Sequence, residues 1–305
     1  MGRRARVLVV ALLAPVGACG RFGFGSLSQD AASAETAGPP DAPPSEDATV
    51  PDDAGPSTCP PGYVPVPPLE GYTVSLFCVA KYEMKDVGGT ATSAAADRPW
   101  RVISRDQAIA ACRGLGDHYD LIANAEWQTI ARQVADTDWN WSSGIAYTGQ
   151  LNQGHTDSVP NLPVAATDDD DDACFGTEQT CSGSVWDNQR RTNRLADGTV
   201  IWDLGGNSLE FMKDDYTLST TMDYVSLFQG GGSRQTDFGN DQLCEAPDVV
   251  PHCGYGYGYT RDVGGTIARG GGLDWGETGG IFTVVQWFTP TQTDWNISFR
   301  CVYHP

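Results

Sequence analysis

The segment Ile201–Glu210, IWDLGGNSLE, joins a short apolar stretch to a pair of glycines and then to polar side chains. Val200–Trp202 is typical of the short strand-like pieces that punctuate the second half of the chain. Asn207 and Glu210 follow the glycines, an amide and a carboxylate three residues apart. Their oxygen atoms are of the hard kind that calcium prefers. The segment predicts a short strand that leads into a polar loop.

Two helices are predicted upstream of this segment. The first begins at Ser104, which can cap it together with Gln107 three residues on, and ends at Gly114. The second begins at Asn124 and carries Glu126 in its positive first turn. Its predicted buried face carries Trp127, Ile130, Ala131 and Val134.

Strands and irregular segments are predicted for the rest of the folded region. Apolar residues alternate or cluster as they do in strands over Tyr63–Val66 and Tyr72–Tyr82. After Asp138 the periodic pattern ends, and Gly, Asn, Asp and Thr dominate. The 36 glycines and 9 tryptophans of the chain indicate an irregular backbone held by large aromatic side chains and disulfides. Residues 59–305 are therefore predicted to form a loop-rich α+β domain with two helices near its start.

The first 58 residues are predicted to lie outside this domain. Three arginines precede the apolar run Val7–Val16, which is typical of a secretory signal and too short to span a bilayer. Residues 19–58 are rich in Ala, Pro, Ser and Asp and contain almost no large apolar side chains after Leu27. Such a segment cannot bury enough surface to offset its chain entropy, so we expect a disordered tether.

The end of the signal resembles a bacterial lipoprotein box. Small residues close on Cys19, and the resemblance implies that residues 1–18 are removed and that Cys19 carries acyl chains. Gly20 follows Cys19, at the position where an aspartate would favour retention in the inner membrane. We therefore expect the protein to be anchored in the outer membrane of the bacterial cell envelope. An ordinary cleaved signal without lipid is the alternative.

The net charge of −20 restricts the classes of partner. Nucleic-acid binding requires clustered Lys and Arg, so we expect no nucleic-acid partner. Binding of an anionic membrane through charge is disfavoured for the same reason, which leaves the lipid anchor as the membrane contact. The charge suits an exported protein or one that binds cations.

The eight cysteines other than Cys19 indicate a disulfide framework in an oxidising compartment. Short spacings favour the local pairs Cys174–Cys181 and Cys244–Cys253, and Cys59 and Cys78 flank one hairpin-like stretch. Cys112 and Cys301 remain as a pair. Zinc is the alternative, but no cysteine pair has C-x2-C spacing, and His118 and His155 are isolated.

Six blocks of sequence in a fixed order carry a family resemblance. They are FCVAKYE at 77–83, the segment 108–116 ending in ACRGLG, LIANAEW at 121–127, IWDLGGNSLE at 201–210, RGGG at 269–272 and ISFRCV at 297–302. Together they resemble the formylglycine-generating enzyme (sulfatase-modifying factor) family, and most closely its bacterial surface-lipoprotein branch, over residues 59–303. The resemblance implies a variant of the C-type lectin fold. In such folds the first helix is commonly tied to the last strand by a disulfide, which matches Cys112–Cys301.

The resemblance does not extend to the family's catalytic residues. Its oxidases bind copper through two cysteines about twenty residues before the Phe-Arg-Cys ending, because copper(I) requires soft thiolates. The corresponding segment Leu273–Phe288 contains no cysteine, so we expect no copper. The sulfoxide-synthase branch binds iron through histidines, but the histidines of this chain are scattered along the sequence. Catalysis is therefore not expected, although an enzyme of this class with an unrecognised active site is an alternative.

The segment between RGGG and FRC is predicted to form a ligand-binding face. In related lipoprotein and phage proteins this region binds the ligand, and in some a diversity-generating retroelement mutates it. The predicted ligand-binding residues are Leu273, Asp274, Trp275, Glu277, Thr278, Thr283, Val285, Trp287, Phe288, Thr291, Gln292, Asp294 and Trp295. Exposed aromatic residues with short polar neighbours bury area at low entropic cost. The alternative is that the tryptophans belong to the core.

The resemblance also implies structural calcium near Asn207 and Glu210, with hydrogen bonds within the loop as the alternative reading of this pair. The leading hypothesis is a tethered surface lipoprotein that binds a protein or glycan ligand through residues 273–295. A scaffold role in a surface assembly is a further alternative.

Overall fold

Both helices begin where the sequence predicts, in a computed structural model that describes residues 59–182, 184–216, 258–260 and 265–305. Helix α1 spans Arg105–Arg113. Ser104 Oγ accepts a hydrogen bond from the Gln107 N–H (3.3 Å), and Gln107 Oε1 accepts one from the Ser104 N–H (2.9 Å). This reciprocal pair satisfies two donors that the helix itself leaves open. Gly114 ends the helix, as predicted.

Helix α2 spans Asn124–Ala135 and packs its apolar side into the core. Glu126 Oε2 accepts the Ala123 N–H at 2.7 Å, which places a carboxylate at the positive end of the helix. The predicted buried face is confirmed, with Trp127, Ile130, Ala131 and Val134 fully buried. Trp127 also donates its indole N–H to the Ile281 carbonyl at 2.8 Å.

A four-stranded antiparallel sheet joins the beginning and the end of the domain. Its strands are β1 (Tyr63–Val66), β2 (Phe77–Ala80), β5 (Tyr119–Leu121) and β13 (Cys301–Tyr303), in the order β1-β2-β13-β5. Strand β13 therefore lies between two strands from the first part of the domain, with Val302 opposite both Val79 and Asp120. The strand expected at Tyr72–Tyr82 is shorter than predicted, because the N–H groups of Tyr72 and Thr73 both donate to Leu69 in a turn.

A five-stranded mixed sheet follows the order β12-β8-β10-β11-β9. Its strands are β8 (Leu209–Tyr216), β9 (Gly258–Thr260), β10 (Gly265–Arg269), β11 (Val284–Phe288) and β12 (Ile297–Phe299). Strand β10 is antiparallel to both β8 and β11, whereas β12 runs parallel to β8. Two hairpins complete the described strands. They are β3 (Met84–Val87) with β4 (Thr90–Ser93), and β6 (Thr192–Arg194) with β7 (Val200–Trp202).

Helices and strands together make an α+β fold, as the sequence predicts. Apolar side chains from α2, both sheets and the loops pack in two large clusters, one around Trp127 and one around Phe211 and Phe299. Each fully buried large apolar side chain contributes about 1.5–3 kcal/mol of transfer free energy. Within the ranges given above, no helix is both long and apolar enough to cross a bilayer.

Three disulfides link elements of the domain. They join Cys59 to Cys78, Cys112 to Cys301 and Cys174 to Cys181. These pairings coincide with those expected from the sequence, and the Cys112–Cys301 bond ties α1 to β13. The fourth expected pair, Cys244–Cys253, lies outside the described residues.

Candidate binding face

The predicted binding residues divide into buried and exposed groups. Leu273, Thr283, Val285 and Phe288 are buried in the core. Phe288 packs edge-on against Phe211, with ring centroids 5.9 Å apart. The prediction that these four side chains contact a ligand therefore needs correction, because protein atoms cover them. The side chains of Glu277 and Trp287 lie outside the described part of the structure.

The remaining seven predicted residues reach the surface to different extents. Asp274, Thr291 and Gln292 are exposed, whereas Trp275, Thr278 and Asp294 are partly buried. Trp295 exposes 49% of its surface. An indole exposed to this extent is unusual for so large an aromatic residue, and it can act as an anchor for a partner.

Two residues that the sequence analysis did not identify lie beside Trp295. Val102, 63% exposed, donates its backbone N–H to the Asp294 carbonyl at 3.1 Å. Arg101 Nη1 donates to the Trp295 carbonyl at 2.9 Å. Val102 has a φ of +56°, which is strained for a β-branched residue. No local sequence signal marks this contact, because Arg101 and Trp295 are 194 residues apart. We call the surface formed by Asp274, Trp275, Thr291, Gln292, Asp294, Trp295, Arg101 and Val102 the recognition face.

Asn296 lies directly beneath the recognition face and connects two of its acids. Its Nδ2 atom donates to Asp274 Oδ1 at 3.3 Å, and its backbone N–H donates to Asp294 Oδ1 at 2.9 Å. A Cβ atom at Gly272 would lie 2.0 Å from Asn296 Nδ2 and 3.0 Å from Trp275 Cδ1. Glycine is therefore required at 272 for the amide and the indole to approach the backbone this closely.

The RGGG and FRC blocks each contain a buried arginine, Arg269 and Arg300, that holds the frame of the face. Arg269 donates to Asn124 Oδ1 from Nε (3.0 Å) and Nη2 (2.6 Å), which links β10 to α2. Arg300 donates to the Glu210 carboxylate through Nε (3.1 Å) and Nη2 (2.7 Å). It also donates to the carbonyls of Ala80 and Trp202, each at 2.8 Å. Both arginines are fully buried, so their charges position backbone rather than bind a ligand.

The Arg300–Glu210 pair belongs to a larger buried group. We call Glu83, Lys85, Arg191, Asp203, Asn207, Glu210 and Arg300 the ionic centre. Arg191 pairs with both oxygens of Asp203 at 2.7 Å. Burial raises the pKa of Glu83 to about 8, with Asp203 adding to the shift, and burial lowers the pKa of Lys85. Sequence analysis gave a role to Asn207 and Glu210 alone. Glu83, Asp203 and Arg300 were only letters within the family-like blocks, and Lys85 and Arg191 lay outside those blocks.

Asn207 and Glu210, the predicted calcium ligands, have protein partners. Asn207 Nδ2 donates to Glu83 Oε2 at 2.5 Å, and Asn207 Oδ1 accepts the Val164 N–H at 2.8 Å. Both Glu210 oxygens accept from Arg300. These contacts engage the oxygens that a calcium ion would require, so the donor set does not fit the ion in this arrangement. Calcium binding stays a prediction. It is tested by the melting temperature of the protein, which should rise with added calcium and fall with a chelator.

Another surface of the domain is concave. An open groove of about 630 Å³ is lined by Asp97, Arg98, Val164, Ala165, Phe175 and Gly176. Phe175 exposes 41% of its surface there. The carbonyls of Val164, Ala165 and Phe175 accept hydrogen bonds from the buried Arg191, so this backbone has a structural role.

Comparisons with known proteins give similarity to solved structures at low sequence identity. No protein-family profile matches the chain, and no curated protein matches it. Treponema denticola variable protein 1 aligns with 76% of this chain and 86% of its own, at 14% identity and a TM-score of 0.40. The Major Tropism Determinant P3c variant aligns over 80% of this chain and 53% of its own, at 12% identity and a TM-score of 0.37. The U1 variant aligns over 79% and 55%, at 12% identity and a TM-score of 0.33.

Proposed function

We propose that this chain is a lipid-anchored envelope protein whose domain binds a protein or glycan ligand through the recognition face. The observation that carries the proposal is the exposed Trp295 beside the exposed Val102. Their two segments are joined by the hydrogen bond from the Val102 N–H to the Asp294 carbonyl, and both exposed apolar side chains lose contact with water when a partner covers this surface. Aromatic residues of this kind supply a large share of binding free energy at interfaces.

The backbone beneath Trp295 is held from several sides. Arg101 and Val102 hydrogen-bond to residues 294 and 295, and Asp106 donates its N–H to Pro290 at 3.2 Å. Immediately after the loop, β12 pairs with β8. A prearranged face loses little conformational entropy on binding, and that favours affinity. The arrangement thus suits recognition of a partner.

Selection of peptides from a random displayed library, together with a panel of immobilised glycans, tests the proposal without a known ligand. We expect the selected peptides or bound glycans to converge on the recognition face. Trp295→Ala should weaken their binding about 30-fold, the effect of losing a hot-spot side chain. Phe175→Ala removes an aromatic residue of similar exposure from the groove and serves as the matched control.

The opposite pattern contradicts the proposal. Ligands that lose affinity with Phe175→Ala but not with Trp295→Ala would place recognition in the groove. Ligands that both variants bind equally would exclude both surfaces. Circular dichroism of each variant verifies that the fold is intact.

Anchoring is a separate part of the proposal and rests on the sequence around Cys19. A mature Cys19 that carries acyl chains would attach the tether and domain to a membrane, since two chains anchor a protein stably. Cys19→Ser should release the protein into the soluble fraction. A variant that remains with the membranes like the parent protein would contradict lipid anchoring.

The proposal also includes a C-type-lectin-like architecture for the domain and diversification of the recognition face by a retroelement. Exposed members of the face are suited to variation, since they do not pack in the core. The flanking locus tests diversification directly. A reverse transcriptase gene with a near-copy of codons 270–301 is expected, and a locus without both would exclude this mechanism.

A further inference from the structure

Asn296 carries a buried acceptor that the described residues leave without a hydrogen-bond partner. The residue is only 5% exposed, and its Oδ1 atom has no partner within the part of the chain that the structure describes. Its Nδ2 atom points to Asp274, so the orientation of the amide is fixed by the acid. A buried carbonyl without a donor is costly, and a ligand that brings a donor removes that cost.

The charged groups around Asn296 favour a cation. Asp274 is exposed and Asp294 is partly exposed, and each accepts a hydrogen bond from Asn296. The described basic residue of the face, Arg101, donates to the Trp295 carbonyl. The carboxylates of the two acids therefore present acceptors to a ligand, and the buried Asn296 that joins them carries a further acceptor without a donor. The chain as a whole carries a net charge of −20, which also attracts cations.

Trp295 adds an apolar surface beside these acceptors. It directly precedes Asn296 in the chain, and about half of it is exposed. The face of an indole attracts a guanidinium or ammonium group. A guanidinium also offers five N–H donors in a planar fork, which matches a carboxylate beside an amide carbonyl.

We propose that the recognition face binds a basic polypeptide segment, with an arginine or lysine side chain held by Asp274, Asp294 and Asn296 and flanked by Trp295. This inference rests on the function proposed above and names the class of its ligand. It selects a cationic protein partner over a neutral glycan, because sugar hydroxyls can donate to the two carboxylates but leave their negative charges uncompensated.

A pair of synthetic peptides tests the charge requirement. One is a short glycine-arginine repeat, and the other replaces every arginine by citrulline, which has nearly the same shape and no charge. Each peptide is titrated into the isotopically labelled full-length protein while the indole N–H resonances are followed, and Trp295→Ala assigns the resonance of Trp295. The arginine peptide should shift the Trp295 resonance and bind about 10-fold more tightly than the citrulline peptide, since charge-assisted hydrogen bonds are lost in the latter.

Asp274→Asn tests the site itself, because it keeps an oxygen for the Asn296 N–H and removes only the charge. Binding of the arginine peptide should weaken about 10-fold. Asp197→Asn is the matched control, since Asp197 is exposed and also accepts a backbone hydrogen bond, from Thr199. It changes the net charge equally and should leave binding unchanged.

Three results would overturn the inference. Equal binding of both peptides would show that charge is not recognised. Equal weakening by the two Asp→Asn variants would show attraction to the overall charge rather than to this site. Absence of any Trp295 shift would show that the face does not take cations. In that last case, glycans or neutral peptides that still lose affinity with Trp295→Ala would leave the proposed function standing.

Discussion

The six residues from Trp295 to Arg300 contribute to two regions with opposite character. Trp295 is half exposed on the recognition face, whereas Arg300 is fully buried in the ionic centre. The exposed part of the Trp295 side chain contacts water, and its removal leaves no buried charge without a partner. Arg191, Asp203, Glu210 and Arg300 pair with one another in the centre through buried hydrogen bonds. The comparison teaches that the fold tolerates change at the face and resists change at the centre.

Among the single substitutions, removal of Arg300 is expected to have the largest effect on stability. Arg300→Ala leaves the Glu210 carboxylate buried and unpaired, and it strips donors from the carbonyls of Ala80 and Trp202. The free energy of unfolding should fall by about 3–5 kcal/mol, measured by urea denaturation. The double variant Arg300→Met with Glu210→Leu should recover much of this loss, because no charge remains unpaired. A loss below about 1 kcal/mol in the single variant would show that the pair is not buried as described.

The two disulfides that close loops of different length should differ in their contribution. Cys112–Cys301 spans 189 residues and Cys174–Cys181 spans 7. In the chain-entropy model the long loop contributes about 5 kcal/mol and the short loop about 2 kcal/mol. Replacing each pair by alanine and measuring unfolding by calorimetry tests the difference. Equal losses, or a free Cys112 thiol in peptide maps of unreduced protein, would contradict it.

The pH dependence of stability should report on Glu83. Its pKa is about 8 in the folded state because of burial, above the ordinary value of 4.5 expected in the unfolded chain. Between these values the folded state binds more protons than the unfolded state, so this contribution to stability falls as pH rises from 4.5 to 8. The contribution is fully present below 4.5.

Glu83→Gln fixes a neutral side chain in the same place. Urea denaturation at several pH values should therefore show a smaller decline from pH 5 to 8 in the variant than in the parent. Glu70→Gln changes an exposed glutamate and provides the control. Parallel profiles for the parent and Glu83→Gln would mean that Glu83 is ionised in the folded protein.

Trp295→Ala should have the smallest effect on stability. The free energy of unfolding should change by about 0.5 kcal/mol or less, as for other surface positions. The same variant is expected to lose ligand affinity, which separates binding from folding in one protein. Thermal denaturation provides the measurement. A large drop in melting temperature would place Trp295 in the core and remove the distinction between the two regions.

Local interactions explain why the helices could be predicted from the sequence. Ser104 and Gln107 form their cap within three residues, and the face of α2 follows from the helical repeat. The strand Tyr63–Val66 was likewise marked by local apolar residues. Signals of this kind need no knowledge of distant parts of the chain.

The sequence predicts the recognition face only in part. Whether a strand residue is buried depends on what covers each face of its sheet. Val284 and Val285 are neighbours in β11 and are both fully buried, so both faces of that strand are covered. The sequence has no alternation there that separates inward from outward residues. The side chain of Trp287 lies outside the described part of the structure, so Trp295 is the aromatic residue of the face that can be tested.

The ionic centre and the loop at Arg101 depend on contacts between distant residues. Arg300 reaches Glu210 across 90 residues and Ala80 across 220. No spacing rule relates residues so far apart in the chain. The sequence also does not show whether an arginine is buried or exposed to solvent.

The position of β13 between β2 and β5 has a consequence for how the domain forms. A chain still being made or exported cannot complete its first sheet until residues 301–303 are free to pair. Until then β2 and β5 each lack a neighbour, and pairing over so long a separation is slow because the intervening chain must be ordered first. A chain interrupted before Cys301 would keep two open strand edges and a free Cys112 thiol, features that expose it to aggregation and proteolysis. The four-stranded sheet can therefore form completely only after β13 has been synthesised. Incomplete chains expose the unpaired edges of β2 and β5.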